Sequence, residues 1–517
     1  MSIFARIFGL APSVIEAKSN VPSVKRSRRS HRNPVKSRGY TAGMNKAYYG
    51  DFASSPGSAD YELANVLPKV RNKIRAMARN SSAGKRYIRL MRDNVVGVAG
   101  FKLTVRVMKH DGVLDTTLNT NVEKAFKSFM RKPMVDGKTS GNQFQKLLVS
   151  AYCNDGEVFV ERVENAKYPD GFKFNVFEGD LLDETLNTIN PNTGNEIRLG
   201  VEIDKNGEHV AYHFLHQHPG DMSWVMPRTN TRYRRVSASK ILHLYERLRP
   251  GQTRGEPPAS SVPNSVKMID GYREAEVTGR RVKASAMGIL TESAMADGDT
   301  DLTGMADRED TVDDTFEMDV EPGTFKKLPR GLDLEMFDPG GTVSDFSDFE
   351  QQLKTDVSMG LNISPVSLGY ETAKLSYSTH RGIIGEDREH YRNTQQFFIE
   401  GGMEEIFLMW LPSHVAFNVD SKILPSRSKI ILESFGFSGR GWDQIDPSKD
   451  VKADNEAMAS RSKSLSQVVS KAGRSLEEHL REIQQDEQLL SDYGLTQDFG
   501  GASNIETKPS SGDDDDE

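Results

Sequence analysis

Between Asp60 and Leu90 the apolar positions Leu63, Val66, Ile74, Met77, Ile88 and Leu90 are spaced among arginines and lysines, which predicts a helical stretch. The pattern changes at VVGVAGFKLTVRV. Gly97 and Gly100 end the helix, and Phe101, Leu103, Val105 and Val107 alternate as a half-buried strand does. A helix over roughly 118–131 and another after Gly141, through QFQKLLVSAYCN, come next. The segments GEVFVERV, FKFNVFEG, GVEID, EHVAYHFLH and KILHLYE then alternate, with polar turns such as NPNTGN and DKNGE between some of them. They predict a small mixed sheet, so residues 61–248 form an α+β unit.

The Pro/Gly-rich junction ERLRPGQTRGEPPASSVP follows. Ser261 suits an N-cap and Pro263 the first helical turn, so a helix is expected from about Val262 to Ala286. An acidic block and the strand-like pieces TFEMDV, GTFKKLP and GLDLEMF lead to a second helix near Ser344. Its narrow apolar stripe is Phe346, Phe349, Leu353 and Val357, and Gly360 and Pro365 stop it. After KLSYSTHR (374–381) a long helix should run to Leu411, before Pro412, with Ile384, Tyr391 and Phe398 on one face. VAFNV and SKIILESF read as strands returning to the first sheet. Residues 443–495 read as a polar helical segment.

Composition narrows the class. A 36% hydrophobic content and a mean hydropathy of -0.56 over 517 residues suit polar tails, or a surface completed by neighbouring copies. No apolar run approaches the ~18 residues that span a bilayer, so a soluble chain without a membrane partner is expected. MSIFARIFGL is too short and too charged for a secretory signal. The single cysteine, Cys153, excludes an intrachain disulfide framework and any cysteine-based zinc site. The net charge of -7 is segregated. KRSRRSHRNPVKSR (25–38) carries seven cations and no acid, residues 290–321 carry twelve acids against one cation, Arg308, and the chain closes on GDDDDE.

Candidate chemistry is mostly eliminated by spacing. Ser376 and His380 share a helical face, but Asp387 lies seven residues beyond the histidine, about 10.5 Å along the axis, too far to orient it. Ser376 and Ser378 instead suit capping of the long helix. The nearest approach to a nucleophile elbow, Gly436-Phe437-Ser438-Gly439-Arg440, lacks its last glycine. Neither GQTRGEPPAS nor SSAGKR is a phosphate-binding loop. In DGDTDLTGMADRE, Leu302 and Arg308 stand where a calcium loop needs glycine and a bidentate glutamate. His209, His213, His216 and His218 lack a recognisable metal-ligand spacing. No cofactor, no metal and no catalytic residue are expected, so the protein is not read as an enzyme. Two helices flanking an acidic insert, with apolar stripes left over, fit a subunit of a ring.

Several stretches resemble one family. PGQTRG followed by RGEPPASSVPNSVKMIDGYREAE resembles the junction and first pore helix of lambda-type double-stranded DNA bacteriophage portal proteins. SDFSDFEQQLKTDVSMGLNISPVSLGYETAKLSYSTHRG resembles their second pore helix, its turn and an SYS-x-x-R segment. GWDQIDPSKDVKADNEAM is similar to their W-x-x-x-DP-x-K motif, and RNKIRAMARNSSAGKRYIRLMRDNVVGVAG to their N-terminal helical pair. The resemblance covers roughly 60–475 in order. The basic N-terminus, the insert at 294–321 and the tail depart from the family pattern.

The resemblance implies an α+β portal-protein fold with an α/β wing, two stem helices, a small clip insert, a tunnel loop, a long wing helix and a helical C-terminal crown. It divides the chain into a flexible basic arm (1–60), the first part of the wing (61–258), stem helix 1 (259–287), the clip (288–342) and stem helix 2 (343–362). The tunnel loop (363–378), the long helix with the rest of the wing (379–440), the crown (441–497) and a disordered acidic tail (498–517) complete it. It implies a homo-oligomeric ring, a dodecamer, at one capsid vertex of the virion, assembled in the host cytoplasm, through which double-stranded DNA is packaged and ejected. Implied partners are the terminase large subunit, a head-completion or adaptor protein, and the major capsid and scaffolding proteins. Glu371, Lys374, Ser376, Tyr377, Ser378 and His380 would line the channel. A minor capsid or tail structural protein forming a ring without a DNA-conducting channel is the alternative.

Overall fold

A computed structural model describes residues 57–221, 232–284, 288–292, 332–336, 343–369, 376–418, 422–442, 447–471 and 476–492. It opens with α1 (Ala59–Asn80) and α2 (Ser82–Met91). Ser58 caps α1 by accepting from the Tyr61 amide, and Asp60 and Glu62 sit at the positive end of the helix dipole. Leu63, Leu67, Ile74 and Met77 are its buried stripe, with Arg71 on the same face. Val66, expected on that stripe, is exposed. One π-helical turn (Arg92–Val96) leads through Gly97 and Gly100, both at positive φ, into β1 (Lys102–Val105). The helices α3 (Thr116–Phe129) and α4 (Gly141–Asp155) fall close to the expected places, α4 opening on a capping box between Ser140 and Gln143.

The strands that follow do not form one mixed sheet. They are β2 (Glu157–Glu164), β3 (Phe172–Phe177), β4 (Thr188–Ile189), β5 (Glu196–Arg198), β6 (Val201–Ile203), β7 (His209–Leu215), β8 (Tyr233–Ser237) and β9 (Ile241–Tyr245). One sheet has the order β3-β2-β9 and the other is the meander β4-β5-β6-β7-β8. Every pairing in both is antiparallel. Tight turns can join only antiparallel neighbours, and among the described residues no helical crossover lies between these strands.

Two long helices, α5 (Pro263–Ala284) and α6 (Val343–Leu361), flank an antiparallel pair, β10 (Gly288–Glu292) and β11 (Leu332–Met336). The helices pack through Tyr272 edge-on to Phe349 at 5.1 Å, an Arg273–Glu350 ion pair at 2.6 Å and a 3.1 Å bond from Ser265 to Asp356. Gly360 permits the close approach of the preceding junction, since a Cβ there would lie 2.6 Å from Val262. Of the expected α6 stripe, Val357 is buried, Leu353 partly buried and Phe349 half-exposed.

The short α7 (Pro365–Leu368) precedes α8 (Tyr377–Phe398), a π-helical turn (Ile399–Met403) and α9 (Glu404–Phe417). Pro412 does not end α9, and the VAF of VAFNV belongs to that helix. SKIILE forms α10 (Ser428–Glu433), and only β12 (Phe435–Ser438) returns as a strand, pairing with β1. Short apolar runs do not distinguish a buried strand from a buried helix, and here packing selects the helix. Ile431 of α10 is fully buried in the main core. The helices α11 (Pro447–Ala459), α12 (Leu465–Lys471) and α13 (Leu476–Asp492) bear out the polar helical segment.

The main core gathers Phe126 and Phe129, Phe144, Phe172 and Phe174, Phe407 and Trp410. Phe126 meets Phe407 and Trp410 edge-on at 5.5 and 5.2 Å, an arrangement that adds about 0.5–1.5 kcal/mol per pair beyond burial. Cys153 lies inside this core, where burial pushes its thiol up to about 12 and leaves it inert. A smaller core of Phe159, Leu182, Val201, Tyr212 and Phe214 fills the space behind the meander. Among the described residues no helix is long and apolar enough to cross a membrane. The basic run at 25–38, the acidic residues at 293–321 and the tail at 498–517 lie outside the described residues.

Candidate functional site

The turn between α6 and α8 is built around one buried carboxylate. α6 ends at Asn362, which adopts a left-handed φ of 52° and donates its side-chain amide to His390 Nδ1 at 2.9 Å. Ser364 caps α7, Pro365 fills its first position, and Gly369 closes it at a φ of 86°. Asp387 of α8 reaches back over this turn. Its carboxylate accepts from the Ser364 amide at 2.9 Å, from Ser364 Oγ at 2.6 Å and from Ser367 Oγ. The acid too distant to orient His380 is thus committed to the turn.

Four of the six expected channel residues are described. Ser376 is the N-cap of α8: its Oγ accepts from the Thr379 amide at 3.3 Å and lies 3.0 Å from Ser378 Oγ. Tyr377 and Ser378 are exposed on the first helical turn, and His380 is partly exposed beside them. Glu371 and Lys374 lie outside the described residues. The geometry brings a capping serine, a phenol and an imidazole to the head of one helix, while the Asp387 carboxylate is bonded to Ser364 and Ser367.

A second constellation is a buried charge cluster beneath the GQTRG junction. Arg254, fully buried, donates to the Glu157 carboxylate at 2.5–3.0 Å and to the carbonyls of Leu182, Leu199 and Gly179 at 2.9–3.0 Å. Arg71 of α1 donates to Glu157 at 3.3 Å, to Asp180 at 3.0 Å and to Glu184. His243 Nε2 lies 3.1 Å from Glu157. Burial alone would raise the Glu157 pKa, but Arg254 and His243 outweigh it and hold the carboxyl well below the usual carboxylate range. Gly255 and Gly156 face one another so closely that a Cβ on Gly255 would lie 2.2 Å from the Gly156 carbonyl oxygen. Gln252 completes the junction, accepting from the Leu248 and Arg249 amides at 2.9 and 3.1 Å. This cluster joins α1, β2, β9 and the lead-in to α5. It fixes the place from which α5 departs.

Among the described residues, one group of potential metal ligands, Glu178, Asp180 and His218, is brought together. Its chemistry argues against a cation. His218 Nδ1 accepts from the Gly220 amide at 3.0 Å, so the proton sits on Nε2, which faces Glu178 and Asp180 at 3.4 Å each. The Arg75 guanidinium already pairs with Asp180 and lies 3.5 Å from Glu178. The sequence-based reading of these histidines as surface or core groups agrees with this, and His213 is paired with buried Glu202 at 3.1 Å.

Sequence reasoning missed three groups. Arg71 could have been found as a cation on an apolar stripe, and Arg254 as the centre of GQTRG. The capture of the turn by Asp387 left no local signal.

The described residues thus combine an α+β fold, two long helices flanking an antiparallel strand pair, and a turn tied to a third helix by Asp387. A family model described as phage portal protein, lambda family, matches residues 49–395. The chain belongs to that family. It is 28% identical over 451 residues to a probable portal protein of Halomonas phage phiHAP-1, covering 87% of this chain and 86% of that one. It is 24% identical over 420 residues to portal protein B of Escherichia phage lambda, covering 76% of each. The portal protein of Escherichia phage N15 is 22% identical over 431 residues, covering 77% and 80%. Among solved structures, a chain in the neck of an empty gene transfer agent particle, computed with C6 symmetry, matches at 13% identity and a TM-score of 0.45. That match covers 77% of this chain and 92% of the other.

Proposed function

We propose that this protein is the portal subunit of a double-stranded DNA phage, assembling as a dodecameric ring at one capsid vertex of the virion. Family membership from residue 49 to 395 carries the reading, because that span holds α5, α6 and the whole turn before α8. DNA passes through the ring during packaging and ejection. Glu371, Lys374, Ser376, Tyr377, Ser378 and His380 line the narrowest part. The terminase large subunit docks on the clip (288–342), and a head-completion or adaptor protein joins afterwards. Major capsid and scaffolding proteins surround the ring, which is assembled in the host cytoplasm. The protein's role is structural, with ATP hydrolysis left to the terminase.

A conducting wall must bind weakly. Each phosphate neutralised by a wall cation releases counterions and adds affinity, so a densely basic wall would stall sliding. Sparse cations such as Lys374, set among acidic groups such as Glu371, keep DNA centred without holding it. Negative-stain images of the purified chain should show rings with a central hole. A ring lacking a channel would favour a minor capsid or tail role, and monomers or filaments would remove both readings. With rings in hand, Lys374→Glu should lower the DNA packaged per head; unchanged packaging removes Lys374 from the channel.

A further inference from the structure

The stretch GFSGRGW (Gly436–Trp442), whose spacing fails as a nucleophile elbow, helps build a cleft of about 590 Å³. Arg392, Arg440 and Lys463 line it together with Trp442, Gln395 and Ser438, and among the described residues that line it there is no carboxylate. Each part is held from behind. The Trp442 indole N–H donates to Asn94 Oδ1 at 3.1 Å, and Arg440 donates to the same oxygen at 3.3 Å and to the Asp93 carbonyl. Gln395 Nε2 is within 3.0–3.2 Å of the carbonyls of Asn94, Val95 and Arg440. Asn94 and Val95 belong to the first π-helical turn, and such turns recur at functional sites. A Cβ on Gly439 would lie 2.9 Å from Gln395, so the loop must be bare there to close over it.

The charges converge on one ring. Arg392 and Arg440 lie over Trp442 with centroid distances of 5.5 and 5.9 Å. Arg392 also pairs with Glu389 at 2.8 Å, both side chains roughly half or more exposed, and Lys463 pairs with Asp454 at 2.9 Å. An exposed pair is worth little, and a phosphate can take the place of Glu389. Tyr391 stacks near the Trp442 ring at 6.3 Å. With arginines and a tyrosine around the indole, it does not offer a free platform for an unpaired base, which favours backbone contacts over single-strand stacking. Arg392 lies sixteen residues after Ser376, about 24 Å along α8, so this is a separate contact from the channel turn.

We propose that the Arg392–Arg440–Lys463–Trp442 cleft binds phosphate groups of duplex DNA, a second contact of the portal with its genome. The proposal rests on the portal reading. The test uses assembled rings, verified by negative stain, and the fluorescence anisotropy of a short labelled duplex across a salt series. Arg392→Gln/Lys463→Gln should weaken duplex binding about tenfold and flatten the log–log salt slope by roughly 0.9 for each phosphate no longer neutralised. Lys109→Gln/Lys429→Gln, an equal charge change at exposed positions elsewhere, should alter it far less. Normal rings whose duplex affinity is the same with and without Arg392 and Lys463 overturn the cleft while leaving the portal reading intact. An equal loss in the control pair also overturns it. Tripolyphosphate binding that the cleft variant abolishes, with duplex binding unchanged, would assign the cleft to a free polyphosphate and overturn the DNA contact. Failure of the unaltered chain to form rings would remove the portal reading itself.

Discussion

Removing the Arg254 guanidinium would leave the Glu157 carboxylate buried without the Nε and Nη2 donors and three carbonyls without their partner. Breaking a buried pair by deleting one member typically costs about 3–5 kcal/mol, and Arg254→Ala should fall in that range in chemical denaturation. Arg254→Met/Glu157→Gln should cost less than the sum of its two single changes, because the two side chains act as a unit. His209 is a second residue with a readable consequence. Burial, with His243 and Arg247 nearby, pushes its pKa down to about 4. A depressed histidine takes its proton more readily in the unfolded chain. The stability it contributes is therefore whole above about pH 6.5 and is lost as the pH falls toward 4. Melting temperatures across that window should drop, and His209→Gln should flatten the drop; an unchanged slope would point to another group. Arg71 was legible as a misplaced cation on the α1 stripe. The partners of Arg254 were not, because Glu157, Leu182 and Leu199 lie 97, 72 and 55 residues away.

At the level of elements, the head of α8 and the turn before it are held from opposite sides. Ser376 caps the helix locally, and Asp387, three turns in, ties down Ser364 and Ser367. Asp387→Ala removes a charged acceptor from three donors and should cost about 1.5–3 kcal/mol. Amide hydrogen exchange at Ser364–Leu368 should quicken while that at α3 and α4 stays unchanged; a uniform rise would indicate global destabilisation instead. The start of α8 was legible from its capping side chain, Ser376. The failures were SKIILE and VAFNV, where β-branched residues suggest strands; Ile431 is buried in the main core from α10, while VAF simply continues α9 with Ala416 and Phe417 exposed. Pro412 reads as a helix stop, yet packing of Trp410 and Leu411 carries α9 past it.

For the molecule as a whole, the family was readable from resemblance, whereas the one mixed sheet expected from the alternating segments is in fact two sheets with antiparallel pairing. What was not legible is which exposed apolar groups await a neighbour. Met268 on α5 and Met359 on α6 are 67% and 70% exposed. On the portal reading, Met268→Glu/Met359→Glu should leave the melting temperature of the unassembled chain nearly unchanged, since surface substitutions fall within about 0.5 kcal/mol. Ring yield in size-exclusion chromatography should fall; rings forming as before would place both methionines on an outer surface.

The π-helical turn at Ile399–Met403 sets an angle between two distant places. A residue added to a helix turns everything beyond it by about 100°. α8 starts at its capping serine, Ser376, and α9 carries Phe407 and Trp410 into the core. Their relative phase depends on one extra residue, beside Gly401, whose Cβ would meet Leu244 at 2.6 Å. Deleting Gly401 would restore a regular helix and yet rotate Trp410 out of its cavity. In this protein a more regular helix would be the less stable one, and natural variation here should run to substitution before it runs to loss.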